Sequence, residues 1–166
     1  MTKWFQALAC AAAGTWLGGM ILIAIVAQTT FSVMRTTGVS QPNAIAGRVM
    51  ASNFKRFDKV QIVCAVPVVA WAMARVMSRT RRRRDWIRAG LAAIACAILA
   101  YNAGVMTPRI ESMQGDVAGA DADAKVKAAF DSYHATAVRL AQANLVIVLA
   151  LALEIAAYRG GKELQA

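Results

Sequence analysis

Between Phe5 and Met34 the chain carries no charged residue. That run constrains the fold more than any other feature. A hydrocarbon core about 30 Å thick needs roughly 20 apolar residues in a helix that rises ~1.5 Å per residue. The apolar stretch of a cleavable signal is only about 7–15 residues long, so the run reads as a spanning helix retained in the mature protein. Ala7-Leu8-Ala9-Cys10 has the look of a lipoprotein cleavage site, but almost no apolar stretch precedes it. Three further apolar segments follow, over about 60–77, 86–106 and 135–158, with the first at about 5–34. Inside lipid a backbone must satisfy its own hydrogen bonds, so four such segments predict four α-helices. The expected fold is all-α, an integral membrane four-helix bundle in one membrane domain over 1–166. Pro67 is expected to kink the second helix.

Composition agrees. Of 166 residues, 58 % are hydrophobic and 17 % charged, against about 45–50 % and about 25 % for a soluble domain. The net charge of +10 would suggest nucleic acid as the partner of a soluble protein. In a membrane protein the same surplus holds loops in the cytoplasm. The link between segments two and three contains Arg75, Arg79, Arg81, Arg82, Arg83, Arg84 and Arg88, whereas the link between three and four is mainly acidic, with Glu111, Asp116, Asp121, Asp123 and Asp131. The arginine link is therefore placed in the cytoplasm, with both termini beside it, helped by Lys3, Arg159 and Lys162. The five bases of the first link (Arg35, Arg48, Lys55, Arg56 and Lys59) run against that orientation.

Within the first link, Gln41-Pro42 predicts a helix start. Ala46, Met50, Phe54 and Phe57 share one side of the helix, opposite Arg48, Ser52, Lys55 and Lys59. This spacing predicts an amphipathic surface helix between helices one and two, lying on the membrane or capping the bundle. Further along, Gly115-Asp116 and Gly119-Ala120-Asp121 read as turns, and Asp121 or Asp123 as the cap of a helix running through Phe130 into segment four.

The polar residues near membrane depth are the candidate site, because such side chains face the bundle or a wet cavity. Alternating helix directions bring the ends of helices one and three into one leaflet with the starts of helices two and four. That leaflet collects Gln28, Gln61, Asn102, Arg109, His134, Gln142 and Asn144. The pocket expected there comprises Gln28, Asn102, Arg109, His134 and Asn144, with His134 as its titratable member. The alternative is interhelical hydrogen bonding that fixes the packing, worth about 0.6 kcal/mol per contact. On helix four the face carrying His134, Ala137, Ala141, Asn144 and Val148 is expected to look inward, Arg139 away from it, and Glu154 to pair with Arg159. Gly14 and Gly18, extended by Cys10, form a small-residue pattern expected to pack within the bundle, or else to serve as a dimer face.

Several chemistries are disfavoured. One His and three Cys exclude a disulfide framework, most metal scaffolds and a haem held by two histidines. Cys10, Cys64, Cys96 and the methionines would suit Cu(I) but show no ligand spacing. There is no phosphate-binding glycine loop and no local catalytic motif. No cofactor, no metal and no nucleic-acid partner are expected, and an enzyme is the less favoured class.

The chain resembles the transmembrane protein 205-like family, small four-helix membrane proteins of unknown function. Thr15-Trp16-Leu17-Gly18-Gly19-Met20 is similar to the family's Trp/Gly-Gly start, with Phe31 where a Phe follows. Ala46-Gly47 and Val105-Met106-Thr107-Pro108-Arg109-Ile110 resemble two further segments. Phe130-Asp131-Ser132-Tyr133-His134, followed by Val138 and Leu140, is similar to its Phe-xxx-His entry into the last helix. Where the family often has Ser and Asn after the His, this chain has Ala137 and Ala141, and the nearest amide is Asn144. With the Arg/Ala-rich usage, the resemblance implies the inner membrane of a bacterium. Three function classes follow in order: a bundle contacting membrane lipids, a membrane-protein partner or a second copy; a small transporter or permease-like module using the polar pocket; and a membrane metal-handling or oxidoreductase protein.

Overall fold

The computed structural model describes residues 3–80, 82–117 and 123–158. It is built from helices: α1 (Lys3–Thr36), α2 (Pro42–Val76), α3 (Arg83–Tyr101), a π-helical turn (Asn102–Met106), α4 (Thr107–Gln114) and α5 (Ala124–Ala156). No strand occurs among the described residues. Four helical stretches, Lys3–Thr36, Pro42–Val76, Arg83–Gln114 and Ala124–Ala156, are long and apolar enough to cross a membrane. The long helices pack as a ring in which α1 touches α2 and α5, and α3 touches α2 and α5.

Local sequence sets the helix ends. Pro42 occupies the first turn of α2, where its missing N–H is not needed, after Gln41 in a left-handed turn at φ 58°. The Asp123 carboxylate accepts from the Lys125 N–H at 2.8 Å and so caps α5. Asp121, the other cap expected from sequence, lies outside the described residues, as do Arg81, Arg159 and Lys162. At the start of α3 the Arg82 N–H donates to Asp85 Oδ2 at 2.8 Å, satisfying a donor the helix leaves free.

The helix expected in the first link is present, but it is not a separate element. It runs on through Pro67 into the spanning segment as one helix of 35 residues. Ala46 and Met50 are buried, and Phe57 packs against the core. The Lys55 ammonium meets Glu111 of α4 at 2.8 Å, and the Gln114 amide reaches the Gly47 carbonyl at 3.5 Å. The far ends of α1 and α2 thus form a helical hairpin braced by α4.

The core is small-residue packing around two tryptophans. Ala9, Ala13, Trp16, Trp71, Ala72, Ala92, Ala95, Val148, Leu151 and Ile155 are all buried. Large aliphatic side chains face outward instead, with Val63 71 %, Val66 65 %, Val146 64 % and Leu153 62 % exposed. Water would penalise such a surface, and lipid tails would not. Gly14 and Gly18 do not pack inside the bundle, contrary to expectation. Both are exposed, with nothing within 4 Å of where a Cβ would stand. Trp16, two residues and so about half a turn from each, takes the inward position, so the glycines fall on the outer side of α1.

Candidate functional site

Sequence reasoning placed the polar site at the α4 end of the bundle. Asn144 is buried midway along α5 and Asn102 is half-buried where α3 gives way to the π-helical turn, and the side-chain oxygen of each lacks a hydrogen-bond partner among the described residues. Asn102 opens the π-helical turn, and such turns free backbone groups from the regular ladder. Arg109 is exposed; its guanidinium donates to the Tyr133 hydroxyl at 2.8 Å and lies 5.4 Å from that ring's centroid. His134 is exposed and stacks on Phe130, ring centroids 6.0 Å apart. Gln28 is exposed on α1. Among the described residues no hydrogen bond joins any two of these five.

The inward stripe of α5 is Asn144, Val148, Leu151 and Ile155. His134 and Ala141 are exposed and Ala137 is half-buried, so the expected inward face holds only from Asn144 onward. Opposite the earlier part of α5 lie α4 and the π-helical turn, which leave that face open. Arg139 is exposed, as expected.

The densest polar constellation lies at the opposite end, and sequence reasoning missed it. Asp85, 1 % exposed, accepts at Oδ1 from Arg88 Nη1 at 3.0 Å and from Arg75 Nε at 3.4 Å. The Arg88 guanidinium also grips Glu154 Oε2 through Nε at 3.0 Å and Nη2 at 2.6 Å. Glu154 therefore pairs across the bundle with Arg88; the pairing expected with Arg159 falls outside the described residues. Tyr158 covers the group: its ring lies 4.5 Å from the Arg75 guanidinium and 5.6 Å from that of Arg88, and it meets Trp71 edge-on at 5.8 Å. From α1, the Gln6 amide donates to the carbonyls of Ile155 at 2.8 Å and Tyr158 at 2.7 Å. One clasp thus draws on all four long helices. Two arginines balance two carboxylates within it, so the buried charge is neutral, the condition under which such burial is tolerated. The signal was present: Asp85 is the one acid amid seven arginines, and Arg75 and Arg88 sit inside apolar segments.

A third polar contact ties α1 to α2. The Trp16 indole N–H donates to Gln61 Oε1 at 2.8 Å, and both residues are buried. The Gln61 amide in turn reaches Asp58 at 3.3 Å.

Two apolar grooves open between α1 and α2, of about 430 and 340 Å³, with Val26 lining both. Among the described residues no three His, Cys, Asp or Glu side chains gather as metal ligands would. Cys10, Cys64 and Cys96 are free thiols.

The fold and its outward apolar surface define a four-helix membrane bundle. The chain belongs to a family described as a domain of unknown function (DUF4149), whose model matches residues 11–118. That match takes in most of α1, all of α2 to α4 and the π-helical turn, and stops short of α5. No curated protein and no solved structure matches the chain.

Proposed function

We propose that the chain works through contact with membrane lipids, and with a membrane-protein partner or a second copy of itself, rather than through catalysis. The observation that carries this reading is the outward-facing belt of large aliphatic side chains, broken on one side by the open grooves between α1 and α2. The clasp supports it too, because its charges are spent on one another and hold the helices together. In this reading the protein sits in a bacterial inner membrane with both termini and the arginine link in the cytoplasm. The likeness of the Phe130–His134 segment to the transmembrane protein 205-like family fits the same picture.

Membrane fractions washed with alkaline carbonate test the central part. The protein stays in the pellet if the belt faces lipid, and its release would overturn the reading. Crosslinking in intact membranes tests the partner: one additional band at a defined ratio is expected.

A second reading, a small transporter or permease-like module, has one specific observation behind it. The Asn102 and Asn144 side-chain oxygens are buried without partners beside a π-helical turn, and buried polar atoms of this kind call for a water or solute. Single cysteines at positions 102 and 144 would react with a small aqueous thiol reagent if a wet path reaches them. Two unreactive positions would exclude it.

A further inference from the structure

We infer that the outer face of α3 seats an anionic phospholipid, with its phosphate on Arg83 and one acyl chain in a notch at Gly90. The inference rests on the lipid-contact reading above and adds to it a place and a headgroup. Arg83, Trp86, Ile87, Gly90 and Ile94 recur at three-, four- and seven-residue spacing, so they share one side of α3. All five are exposed. The opposite side, with Asp85, Arg88, Ala92, Ala95 and Leu99 buried, packs toward α2 and α5. Nothing lies within 4 Å of where a Cβ of Gly90 would stand. The missing side chain leaves a notch, with Trp86 and Ile87 one turn before it and Ile94 one turn after.

Depth and charge identify the occupant. Arg83 opens α3, five residues before Arg88 of the clasp, and Ile94 lies past the clasp toward the α4 end. From Arg83 to Ile94 is 11 residues, about 16 Å at ~1.5 Å per residue. That is close to one leaflet of a hydrocarbon core about 30 Å thick. The stripe thus runs from a cation at its outer end to apolar side chains deeper in, the order in which a phospholipid presents phosphate and tail. Trp86 is exposed between the two, and Trp4 is exposed at the same end of α1; tryptophan favours the membrane–water interface. Arg79, Arg82, Arg83 and Arg84 are exposed and have no ionic partner among the described residues. Asp85, the one acid between Arg75 and Ile94, is taken up by Arg75, Arg88 and the Arg82 N–H. A guanidinium matches phosphate geometry through paired N–H groups. A zwitterionic headgroup brings its own cation into this basic field and so gains less from it than an anionic one. An acidic segment of a partner protein would meet the arginines with carboxylates instead, and the experiment separates the two.

The test uses the full chain, purified in mild detergent and offered an equimolar mixture of phosphatidylglycerol and phosphatidylcholine, with bound lipid counted by native mass spectrometry. The wild type retains phosphatidylglycerol preferentially, and excess inorganic phosphate does not displace it. Arg83→Gln lowers that preference about fivefold, the effect of one basic residue at an anionic surface, and leaves phosphatidylcholine binding in place. Gly90→Leu fills the notch without meeting any neighbour and lowers retention of both lipids. Arg48→Gln removes an exposed charge 27 residues before Arg75 on α2, far from the stripe, and leaves retention unchanged. Unchanged retention in either Arg83→Gln or Gly90→Leu would overturn the proposal, as would an equal loss in Arg48→Gln. Displacement by inorganic phosphate would overturn it in favour of a simple anion site. A protein band crosslinked at position 86 without retained lipid would overturn it in favour of an acidic partner. Release of the protein by carbonate would instead defeat the lipid-contact reading itself.

Discussion

Arg88 of α3 closes on Glu154 of α5 at 2.6 Å, and 21 residues further along α3 and its continuation, 21 residues earlier on α5, Arg109 meets Tyr133 at 2.8 Å. The two helices therefore stay in antiparallel register through the π-helical turn. At ~1.5 Å per residue the two contacts stand about 31 Å apart, close to the thickness of a hydrocarbon core. The two polar contacts thus stand near opposite ends of the outward-facing apolar belt, with the arginine link beyond the first and α4 at the second.

Asp85 is the acid on which the clasp depends. Asp85→Ala leaves Arg75 without its carboxylate in a buried site, and breaking a buried pair in this way costs about 3–5 kcal/mol. Glu154 has a side chain 43 % exposed, so Glu154→Gln is expected to cost about 1 kcal/mol or less. Unfolding followed by helical circular dichroism in detergent measures both. Equal losses would contradict the ranking.

The Trp16–Gln61 hydrogen bond predicts a modest effect, because interhelical bonds in membranes average about 0.6 kcal/mol and reach about 1.7. Gln61→Leu leaves the buried Trp16 N–H unpaired and lies toward the upper end. Adding Trp16→Phe to Gln61→Leu should cost less than the two single losses combined, since the second change removes the orphaned donor. A double-mutant cycle with strict additivity would show that the bond contributes nothing.

Glycines on α1 should separate by face. Gly14→Ala and Gly18→Ala meet nothing within 4 Å and are expected to be neutral or stabilising by up to about 1 kcal/mol, the propensity difference between the two residues. Gly19→Leu must displace the Phe57 ring, and overpacking of this kind costs about 1–3 kcal/mol. Thermal unfolding of the three variants checks the order. A large loss at Gly14 or Gly18 would point to a second helix packed on that face.

Much of the fold was legible because lipid leaves few options. Uncharged length gave the four spans, Pro42 the start of α2, and Asp123 the start of α5. The end of α1 was legible to within two residues, but the continuity of α2 was not: hydropathy drops before Val60, yet the helix that starts at Pro42 runs on unbroken into the second apolar segment, since a folded neighbour supports a helix as well as lipid does. The candidate site was less legible. Polarity at a given depth identified Asn102 and Asn144, but depth alone does not give azimuth, and His134 and Gln28 fell on exposed faces. The clasp was missed because positive-inside reasoning treats arginines as topological. Arg75 and Arg88 are instead interior, recruited by Asp85 and Glu154 from elements far apart in sequence.

The surface pair Lys55–Glu111 should matter little. The Lys55 side chain is 60 % exposed, and exposed pairs contribute about 0–1 kcal/mol. Lys55→Ala is expected to leave unfolding nearly unchanged, more so in high salt. A loss above about 2 kcal/mol would show that α4 braces the hairpin through this contact.

The central claim is that the arginine link and α4 stand on opposite sides of a bilayer. In a chain with Cys10, Cys64 and Cys96 replaced by Ser, single cysteines at Ser78 and Ser112 test it with a membrane-impermeant maleimide. The account predicts that Cys introduced at Ser112 labels in intact cells, and that Cys introduced at Ser78 labels only after the membrane is opened. Labelling of both positions from the same side would contradict it.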